Sequence, residues 1–402
     1  MDKIKVLAIS YLFPNEVHPT HGIFVFNRLE ALSKYVDITV INPIPWSPLH
    51  EFLPRYSALK SIPRKTKLGN LVIYHPRFFS IPKFFKGLEA TTYKFAVNKV
   101  LTQTLKKTSF DIVDLHWTYP DLPAGSYLAK QIKKPFLVTL RGMEAFYQGE
   151  GKLRENYIKV NLIKADRIVA LSEELKNTSI LLGADPSRHC VIRNGVDTQL
   201  FSYINQSEAR ARLFLPQDKK IIVTVGSLIK RKGFDLIIEA LPELLKKNPG
   251  LQVHIIGTEG PEGDFRQSLY KQIQTLSLEK NVIFQGLVKN DVLPIWYNAA
   301  DVFCLASRGE GSPNVLTEAI SCGCPAVATD VGAVKEIMMS EPNIGECVPS
   351  EDHKAIARAL ARVLSAYYDR EKNAEVFSQY NWDWCAQKVL EVYKTALEKP
   401  IK

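Results

Sequence analysis

The sequence has no apolar run that approaches the roughly 18 residues a membrane-spanning helix requires. Its first ten residues carry an apolar segment too short for a secretory signal, so they predict a first buried strand instead. Cysteine is scarce: six are scattered along the chain, and the pair Cys322 and Cys324 has no second pair at zinc-finger spacing. These absences argue against a disulfide framework, and we expect a protein of the reducing cytoplasm.

The usual signatures of dinucleotide and nucleoside-triphosphate binding are missing as well. No Gly-x-Gly-x-x-Gly follows the first strand of either half, and Gly257, Gly260 and Gly263 have the wrong spacing. There is no Walker A sequence and no internal repeat, so a dehydrogenase, a P-loop NTPase and a solenoid are disfavoured. The 402 residues are 46% hydrophobic and 10% aromatic, which is enough to fill the cores of two or three domains.

The net charge of +10 comes from the first half of the chain. Residues 1–195 hold 28 Lys and Arg against 16 Asp and Glu, whereas the remainder holds 24 against 26. Residues 55–107 contain twelve bases and one acid, Glu89. Four of its phenylalanines, interleaved with the bases, are Phe78, Phe79, Phe84 and Phe85. Two interpretations stay open, an anionic membrane surface as a partner or a solvated basic face over a local core.

Short β-branched runs alternate with amphipathic stretches along the chain. Strands are predicted in the first half at 4–10, 36–42, 71–75, 112–115, 136–140, 167–171 and 190–192. Strands are predicted in the second half at 221–225, 253–256, 282–284, 302–305, 326–328 and 345–348. Helices are predicted at 23–34, 88–107, 124–133, 233–247, 264–278, 291–299, 314–322 and 381–399. Buried apolar strands separated by helices are typical of α/β folds with parallel sheets covered on both faces.

The alternation predicts two doubly wound domains, at residues 1–200 and 201–375, and a helical tail at 376–402. The boundary is expected near NGVD at 194–197, which is followed by a polar stretch through Gln217, with Pro216 just before the next strand. The tail helix has an apolar face, and from its pattern alone it could cover either domain.

Ligands of open parallel sheets bind at the carboxyl ends of the strands, so the loops at those ends are the candidate sites. One such loop follows the strand at 302–305, where Ser312 is expected to cap a helix and Pro313 to begin it. The unpaired N–H groups at the start of that helix would form an anion site suited to a diphosphate. Those N–H groups belong to Asn314, Val315 and Leu316.

The same segment carries two acids, Glu310 and Glu318, which suit sugar hydroxyls better than phosphate. For one isolated loop, the simpler interpretation would be a capped helix with exposed acids. A second loop, after the strand at 221–225, carries Lys230, Arg231 and Lys232. Three consecutive cations at this edge could clamp a diphosphate leaving group.

The first domain has polar groups at the same edge of its own predicted sheet. His21 follows the first strand, His116 follows the strand at 112–115, and Arg141 follows the strand at 136–140. A lone histidine is more often structural than catalytic, but three polar groups at one edge favour a site.

With these residues the chain resembles the GT-B glycosyltransferases, specifically glycosyltransferase family 4, over nearly its full length. The most specific part is the pair Glu310 and Glu318, with seven residues between them, in RGEGSPNVLTEA at 308–319. The flanking motifs are YNAADVF at 297–303, CGCP at 322–325 and TDVG at 329–332. A weaker likeness, to members that build teichuronic-acid-type or other surface polysaccharides, lies in GIFVFNR at 22–28, TLRG at 139–142 and NGVD at 194–197.

The resemblance implies two Rossmann-like domains across a cleft, the first binding the acceptor and the second the nucleotide-sugar, with the tail helix crossing back to the first. It implies transfer of a hexose-type sugar with retention of anomeric configuration, without an essential metal or other cofactor. A UDP-sugar is favoured over a GDP-sugar as the donor. The acceptor would be a glycan or a lipid-linked saccharide, with an anionic membrane surface as a further partner and no nucleic acid.

The resemblance also implies roles for individual residues. Glu318 would bind the ribose hydroxyls, and Glu310 would lie near the donor hexose. Lys232 would bind the diphosphate, with Arg231 beside it, and His116 would lie beside the reacting sugar. The remaining donor-binding residues would be Gly22, Leu287, Ser312, Asn314, Val315 and Leu316.

Two positions depart from the family pattern. Ser227 stands where members often have Arg, and Glu144 stands where related chains often have Asp. Arg231 could supply the cation missing at position 227. Two alternative functions stay open, a nucleotide-sugar epimerase of GT-B fold and a non-catalytic subunit that binds the donor.

Overall fold

The computed structural model describes residues 3–81, 87, 89–106, 108–142, 152–260 and 263–398. The chain forms two compact units. Unit 1 comprises residues 1–194 together with 382–402, and unit 2 comprises residues 195–381. The sequence predicted divisions a few residues away from each of these limits.

Unit 1 combines a large sheet with helices that follow its strands. Its strands are β1 (Lys5–Ile9), β2 (Asp37–Ile41), β3 (Ile44–Trp46), β4 (Lys65–Leu68), β5 (Leu71–Tyr74), β6 (Arg77–Phe79), β7 (Ile112–Leu115), β8 (Phe136–Leu140), β9 (Arg167–Ala170) and β10 (His189–Val191). Its helices are α1 (Ile23–Leu32), α2 (Pro54–Ser57), α3 (Glu89–Lys99), α4 (Asp121–Ile132), α5 (Lys152–Leu162), α6 (Glu173–Leu181) and α15 (Trp382–Glu398).

The strands of the large sheet follow the order β10-β9-β8-β7-β1-β2-β5-β4. The order reverses at β1, which pairs in parallel with β2 on one side and with β7 on the other. The outermost strand β4 is antiparallel to β5. The sequence did not predict β4, because its pattern KTKL is mostly exposed and gives no buried apolar run. A second, two-stranded sheet, β3-β6, was not predicted either.

Both faces of the large sheet are buried. Successive residues of β1 point to opposite sides, so Leu7 and Ile9 enter one core cluster while Val6 and Ala8 enter another. The second cluster includes Val389 and Tyr393 of α15, which pack with α1. The tail helix therefore belongs to unit 1, as the family resemblance implied.

Unit 2 repeats the alternation of strands and helices. Its strands are β11 (Ile221–Val225), β12 (Gln252–Ile256), β13 (Val282–Gly286), β14 (Val302–Leu305), β15 (Ala326–Thr329) and β16 (Gly345–Val348). Its helices are α7 (Gln206–Arg212), α8 (Phe234–Leu245), α9 (Arg266–Thr275), α10 (Leu293–Ala299), α11 (Asn314–Ser321), α12 (Val334–Met338), α13 (His353–Ser365) and α14 (Arg370–Phe377).

The sheet of unit 2 is parallel and has the order β13-β12-β11-β14-β15-β16. Its order reverses between β11 and β14, which lie side by side although about 80 residues separate them in the chain. Loops that leave neighbouring strands on opposite sides of such a reversal diverge and leave a crevice. The predicted α/β class with two Rossmann-like domains is confirmed.

Candidate functional site

The two loops at the reversal in unit 2 hold opposite charges in direct contact. Lys232, in a short turn after β11, places its Nζ 2.6 Å from Oε1 of Glu310, in the loop after β14. The Ser307 hydroxyl donates to the same oxygen at 2.6 Å. The Lys232 and Glu310 side chains are only 15% and 9% exposed, so this ion pair is largely buried at the carboxyl ends of β11 and β14. The sequence predicted both residues for the site, and the structure brings them together.

Arg231 adds a second cation to this cluster. Its Nη1 donates to the Gly309 carbonyl at 2.9 Å and lies 3.8 Å from Oε2 of Glu310. Its side chain is 36% exposed, which leaves part of the guanidinium open to water. We call Arg231, Lys232 and Glu310 the edge cluster. That Arg231 takes the place of a cation at position 227 stays a prediction.

Sequence reasoning missed Arg308, which holds the two loops together. Its guanidinium donates to both carboxylate oxygens of Asp235, at 2.9 and 2.8 Å, and to the carbonyl of Lys230 at 2.6 Å. Its backbone N–H donates to the Arg231 carbonyl at 2.7 Å. The hydrogen bonds that Arg308 donates to Asp235 are the main cause that raises the pKa of Arg308. In the sequence Arg308 was visible only as part of the family motif.

Two glycines let the loops approach this closely. Gly226 ends β11, and a Cβ there would lie 3.3 Å from Cδ of Lys232, whose side chain passes over it. Gly233 has a φ of +66°, and a Cβ there would lie 1.9 Å from the Ala306 carbonyl oxygen. Any other residue at 233 would push the cationic turn away from the loop after β14.

The start of α11 corrects two predictions. Pro313, not Ser312, occupies the capping position, and no side chain caps the helix. The Ser312 hydroxyl is buried without a hydrogen-bond partner among the described residues. The N–H of Leu316 donates to the Pro313 carbonyl at 3.1 Å, so it is not available to an anion. The extended backbone at Pro313 places the capping residue one position later than the sequence suggested. Asn314 and Val315 lie half-buried at the helix start, where they were expected.

Glu318 lies one helical turn beyond Asn314. Its Oε2 accepts a hydrogen bond of 3.1 Å from the hydroxyl of Tyr297 in α10. Burial raises the pKa of Glu318 to about 7, although the Tyr297 hydrogen bond opposes that shift. A carboxyl group with this pKa can donate or accept at neutral pH, which suits a partner that carries hydroxyl groups.

The other predicted donor-binding residues lie in loops that follow strands. Leu287 follows β13 and is 82% exposed, an unusual environment for a leucine. Gly22 precedes α1 in unit 1 with a φ of +66°, and a Cβ there would lie 2.4 Å from the Leu12 carbonyl oxygen. The loop itself therefore requires glycine at this position. The donor contacts of Leu287 and Gly22 stay predictions.

His116 lies at the end of β7, and its side chain is completely buried. Its Nδ1 lies 2.9 Å from Nη2 of Arg141, and its Nε2 lies 3.3 Å from Oδ2 of Asp114. Burial is the main cause that lowers the pKa of His116, and Asp114 partly opposes it. The predicted contact with a sugar stays a prediction. The contacts in the structure are with Arg141 and Asp114.

A second buried arginine joins the group around His116. Arg28 of α1 lies 3.4 Å from Oδ1 of Asn194, which also accepts from Arg141 at 3.4 Å. Burial alone would raise the pKa of Asp114, but His116, the hydroxyl of Tyr393 and Arg28 outweigh it and hold this pKa below its usual value. We call Arg28, Asp114, His116 and Arg141 the buried network.

Other predictions concern the membrane segment and metal ions. Phe78 is buried and packs edge-on against Tyr93, so it is not an exposed aromatic residue of that segment. Phe84, Phe85 and Glu144 lie outside the described residues. Within the described part of the chain, no group of three His, Cys, Asp or Glu side chains could hold a metal ion. In that part, no helix has the length and apolar character needed to cross a bilayer.

Two family models match consecutive parts of the chain. The model of glycosyltransferase family 4 matches residues 36–200, and that of glycosyl transferases group 1 matches residues 205–383. The first match lies in unit 1 except for its last residues. The second match ends two residues beyond the last residue of unit 2. The second match contains the whole edge cluster.

Individual relatives and solved structures agree with these models. The chain is similar to a putative teichuronic acid biosynthesis glycosyltransferase, TuaC, of Bacillus subtilis, at 26% identity over 92% of this chain and 96% of that protein. It is 31% identical to a D-inositol 3-phosphate glycosyltransferase of Thermomonospora curvata, over 58% of this chain and 57% of that one. Sucrose-phosphate synthase from Thermosynechococcus elongatus has a similar fold, with a TM-score of 0.77 at 20% identity, over 98% of this chain and 100% of the other. Anabaena HepE, solved with UDP-glucose, has a TM-score of 0.72 at 18% identity, with the same coverage.

Proposed function

Because the chain belongs to the GT-B glycosyltransferases of family 4 type, we propose that it moves a hexose-type sugar from a nucleotide-diphosphate-sugar to a glycan or a lipid-linked acceptor. Transfer retains the anomeric configuration and needs no metal ion. The product belongs to a cell-surface polysaccharide, which is the kind of polymer that the name of the Bacillus subtilis relative describes.

The observation that carries this proposal is the edge cluster at the strand reversal of unit 2. A diphosphate leaving group gains negative charge as the glycosidic bond breaks, and cations fixed in advance stabilise that charge. Lys232 and Arg231 are held by Glu310 and by the Gly309 carbonyl, so they need little rearrangement to receive it. When an anion arrives, Lys232 can exchange its contact with Glu310 for one with the ligand, and Glu310 is then available to a sugar hydroxyl.

The donor is a UDP-sugar in preference to a GDP-sugar. Two features support this choice: Anabaena HepE was solved with UDP-glucose, and Glu318, in the helix that follows the loop of Glu310, has a carboxyl group suited to ribose hydroxyls. In this proposal Leu287, exposed after β13, packs against the base.

Thermal unfolding with a panel of nucleotides tests donor binding. UDP-glucose, UDP-galactose, GDP-mannose and the free nucleotides are added in turn, since a ligand raises the melting temperature by mass action. We expect a UDP compound to give the largest rise. A larger rise with GDP-mannose than with any UDP compound would contradict the proposed donor, and the absence of a rise with every nucleotide would contradict the proposed function.

Product analysis separates transfer from the two alternatives. The stabilising donor is incubated with and without a membrane lipid extract as the source of acceptor, and the product is followed by mass spectrometry and NMR. Transfer requires the extract and leaves the anomeric configuration unchanged. A changed sugar nucleotide without any extract would show an epimerase, and binding without turnover would show a donor-binding subunit.

We also propose that residues 55–107 attach unit 1 to an anionic membrane surface. This segment keeps an excess of basic residues, and Phe79 and Phe95 are 46% and 66% exposed. Exposed aromatics beside bases are suited to the interface of an anionic bilayer. The acceptor would then be reached at the surface that carries it.

Vesicle flotation tests this attachment. We expect the protein to float with vesicles of phosphatidylglycerol and phosphatidylcholine, and not with phosphatidylcholine alone. Phe95→Ser should reduce flotation, whereas Phe214→Ser, which removes a phenylalanine 96% exposed in unit 2, should not. Equal flotation with both kinds of vesicle would contradict the proposal.

A further inference from the structure

The last helix of the chain enters the buried network. Tyr393 of α15 is fully buried, and its hydroxyl donates to Oδ2 of Asp114 at 2.6 Å. The same Oδ2 lies 3.3 Å from Nε2 of His116. That distance is within ion-pair range, but neither Nε2 of His116 nor the other Asp114 oxygen, Oδ1, has a hydrogen-bond partner among the described residues. The orientation of the Asp114 carboxylate therefore depends on Tyr393 on one side and on His116 on the other.

The contacts of His116 determine which of its nitrogens carries the proton. A guanidinium has donors only, so Nδ1 of His116 must accept from Nη2 of Arg141. In the neutral ring the proton is then on Nε2, the nitrogen nearest to Asp114. The contacts thus form a chain of four side chains, which runs from Tyr393 of α15 through Asp114 and His116 at β7 to Arg141 at the end of β8.

We propose that Tyr393 is a positioning residue for sugar transfer: by holding Asp114 beside Nε2 of His116 it keeps the imidazole ring and, through that ring, the Arg141 guanidinium in place. The inference rests on the proposed function, since His116 and Arg141 lie at the ligand-binding edge of the sheet in unit 1. The proposal gives α15 a role in sugar transfer in addition to its packing in the core of unit 1.

Both connections between the two units lead to this network. Asn194, the last residue of unit 1 before the chain enters unit 2, accepts from Arg28 and Arg141. After the chain returns, α15 begins at Trp382 and carries Tyr393 to Asp114. The positions of His116 and Arg141 thus depend on Asn194, where the chain leaves unit 1, and on α15, which begins where the chain returns to it.

Tyr393→Phe tests the proposal, with Tyr35→Phe as the matched control. Tyr35 also donates its hydroxyl to an aspartate, Asp383 of α15, at 2.9 Å, but at the partly exposed junction of α1 and α15. Both substitutions remove one phenol hydroxyl that ties α15 to unit 1. Only Tyr393→Phe should lower kcat, by about ten- to a hundredfold, because a small misplacement of reacting groups has effects of that size. The KM for the nucleotide-sugar should change by less than about twofold, since unit 2 binds it.

A second measurement does not depend on activity. Nitrogen-15 NMR of the histidine rings identifies the tautomer of His116, whose signals are assigned by their absence in His116→Gln. The wild type and Tyr35→Phe should show one sharp Nε2-protonated form, and Tyr393→Phe should show exchange broadening, because the ring is then held less firmly on the Asp114 side. If the protein proves inactive, the proposed function fails while this tautomer measurement still applies.

Three results would overturn the proposal. One is a wild-type kcat in Tyr393→Phe. Another is an equal loss of kcat in Tyr35→Phe, which would mean that any weakening of α15 has the same effect. The third is unfolding of Tyr393→Phe under conditions in which Tyr35→Phe stays folded, since Tyr393 would then have a structural role only.

Discussion

The buried network of unit 1 and the edge cluster of unit 2 contain similar groups in different surroundings. In the buried network, Asp114 and His116 are at most 1% exposed, and Arg141 is 5% exposed. In the edge cluster, the side chains of Glu310, Lys232 and Arg231 are 9%, 15% and 36% exposed. A charge that water does not reach must be matched permanently by the protein, whereas a charge that water reaches can change partners. The comparison indicates that the first group fixes geometry and the second receives ligand.

The acids of the two units also titrate in opposite directions. His116, Tyr393 and Arg28 outweigh burial and hold the pKa of Asp114 below its usual value. Glu318 has only the hydroxyl of Tyr297 to oppose burial, and its pKa rises to about 7. An acid with cationic neighbours stays ionised, and an acid without them can gain a proton near neutral pH.

The largest effect is expected when each carboxylate is replaced by the amide of the same shape. Asp114→Asn removes a buried carboxylate that attracts both Arg28 and Arg141, and we expect it to lower the free energy of unfolding by about 3 to 5 kcal/mol. Glu310→Gln should lower it by only about 1 to 2 kcal/mol, since Lys232 and Arg231 keep contact with water. Urea unfolding of both variants at pH 7 measures the difference. An equal loss of unfolding free energy in the two variants would contradict the distinction between the buried network and the edge cluster.

The sequence predicted most strands of the large sheet in unit 1 and of the sheet in unit 2, because buried strands appear in the sequence as continuous apolar runs. The strand at 112–115 and the strand at 302–305 have in the structure the limits that the sequence predicted. Parallel strands place their carboxyl ends at one edge, so the loops with Lys232 and Glu310 could be expected near each other. Their direct contact could not be predicted, because it depends on the loop conformations that Gly226 and Gly233 permit.

Contacts between residues distant in sequence were not predictable in the same way. Tyr393 and Asp114 are 279 positions apart, and the tail helix had an apolar face that fitted either domain. The prediction of the α11 cap was wrong for a local reason. Ser312 and Pro313 are both common at helix starts, and sequence preference alone does not decide which of them takes the capping position.

The second effect concerns turnover. Lys232→Ala removes the cation in closest contact with Glu310, and we expect kcat to fall by about 10²- to 10³-fold, as for other donors that stabilise a developing negative charge. The control is Lys220→Ala, which removes a lysine at the opposite end of the same strand β11, ion-paired to Asp301 at 3.2 Å. That variant should keep its turnover. A transfer assay at saturating donor compares the two, and near-normal kcat in Lys232→Ala would mean that the edge cluster does not stabilise the leaving group.

The third effect is a dependence of stability on pH. Since the folded-state pKa of Glu318 lies above its ordinary value of 4.5, the proton stabilises the folded state at low pH, and this stability is lost as pH rises from 4.5 to about 7. The free energy of unfolding of the wild type, minus that of Glu318→Gln, should therefore fall by roughly 2 to 3 kcal/mol over this range. Urea unfolding at several pH values measures it.

The control for this pH dependence is Glu371→Gln, at an exposed position in the first turn of α14. Its curve should run parallel to that of the wild type between pH 4.5 and 7. If Glu318→Gln also runs parallel, Glu318 is ionised throughout, and the contrast with Asp114 is wrong.

The smallest effect is expected at Ser312, whose buried hydroxyl has no hydrogen-bond partner among the described residues. Removal of an unpaired buried hydroxyl does not break an existing hydrogen bond, so Ser312→Ala should change the free energy of unfolding by less than about 0.5 kcal/mol. If this hydroxyl binds the donor, the same variant should lose part of the rise in melting temperature that UDP gives to the wild type. Thr317→Ala is the control, because the Thr317 hydroxyl already donates to the Asn314 carbonyl at 2.8 Å. That variant should lose stability and keep its response to UDP. An unchanged response to UDP in Ser312→Ala would exclude Ser312 from the donor site and leave the edge cluster as the part of unit 2 that binds the diphosphate.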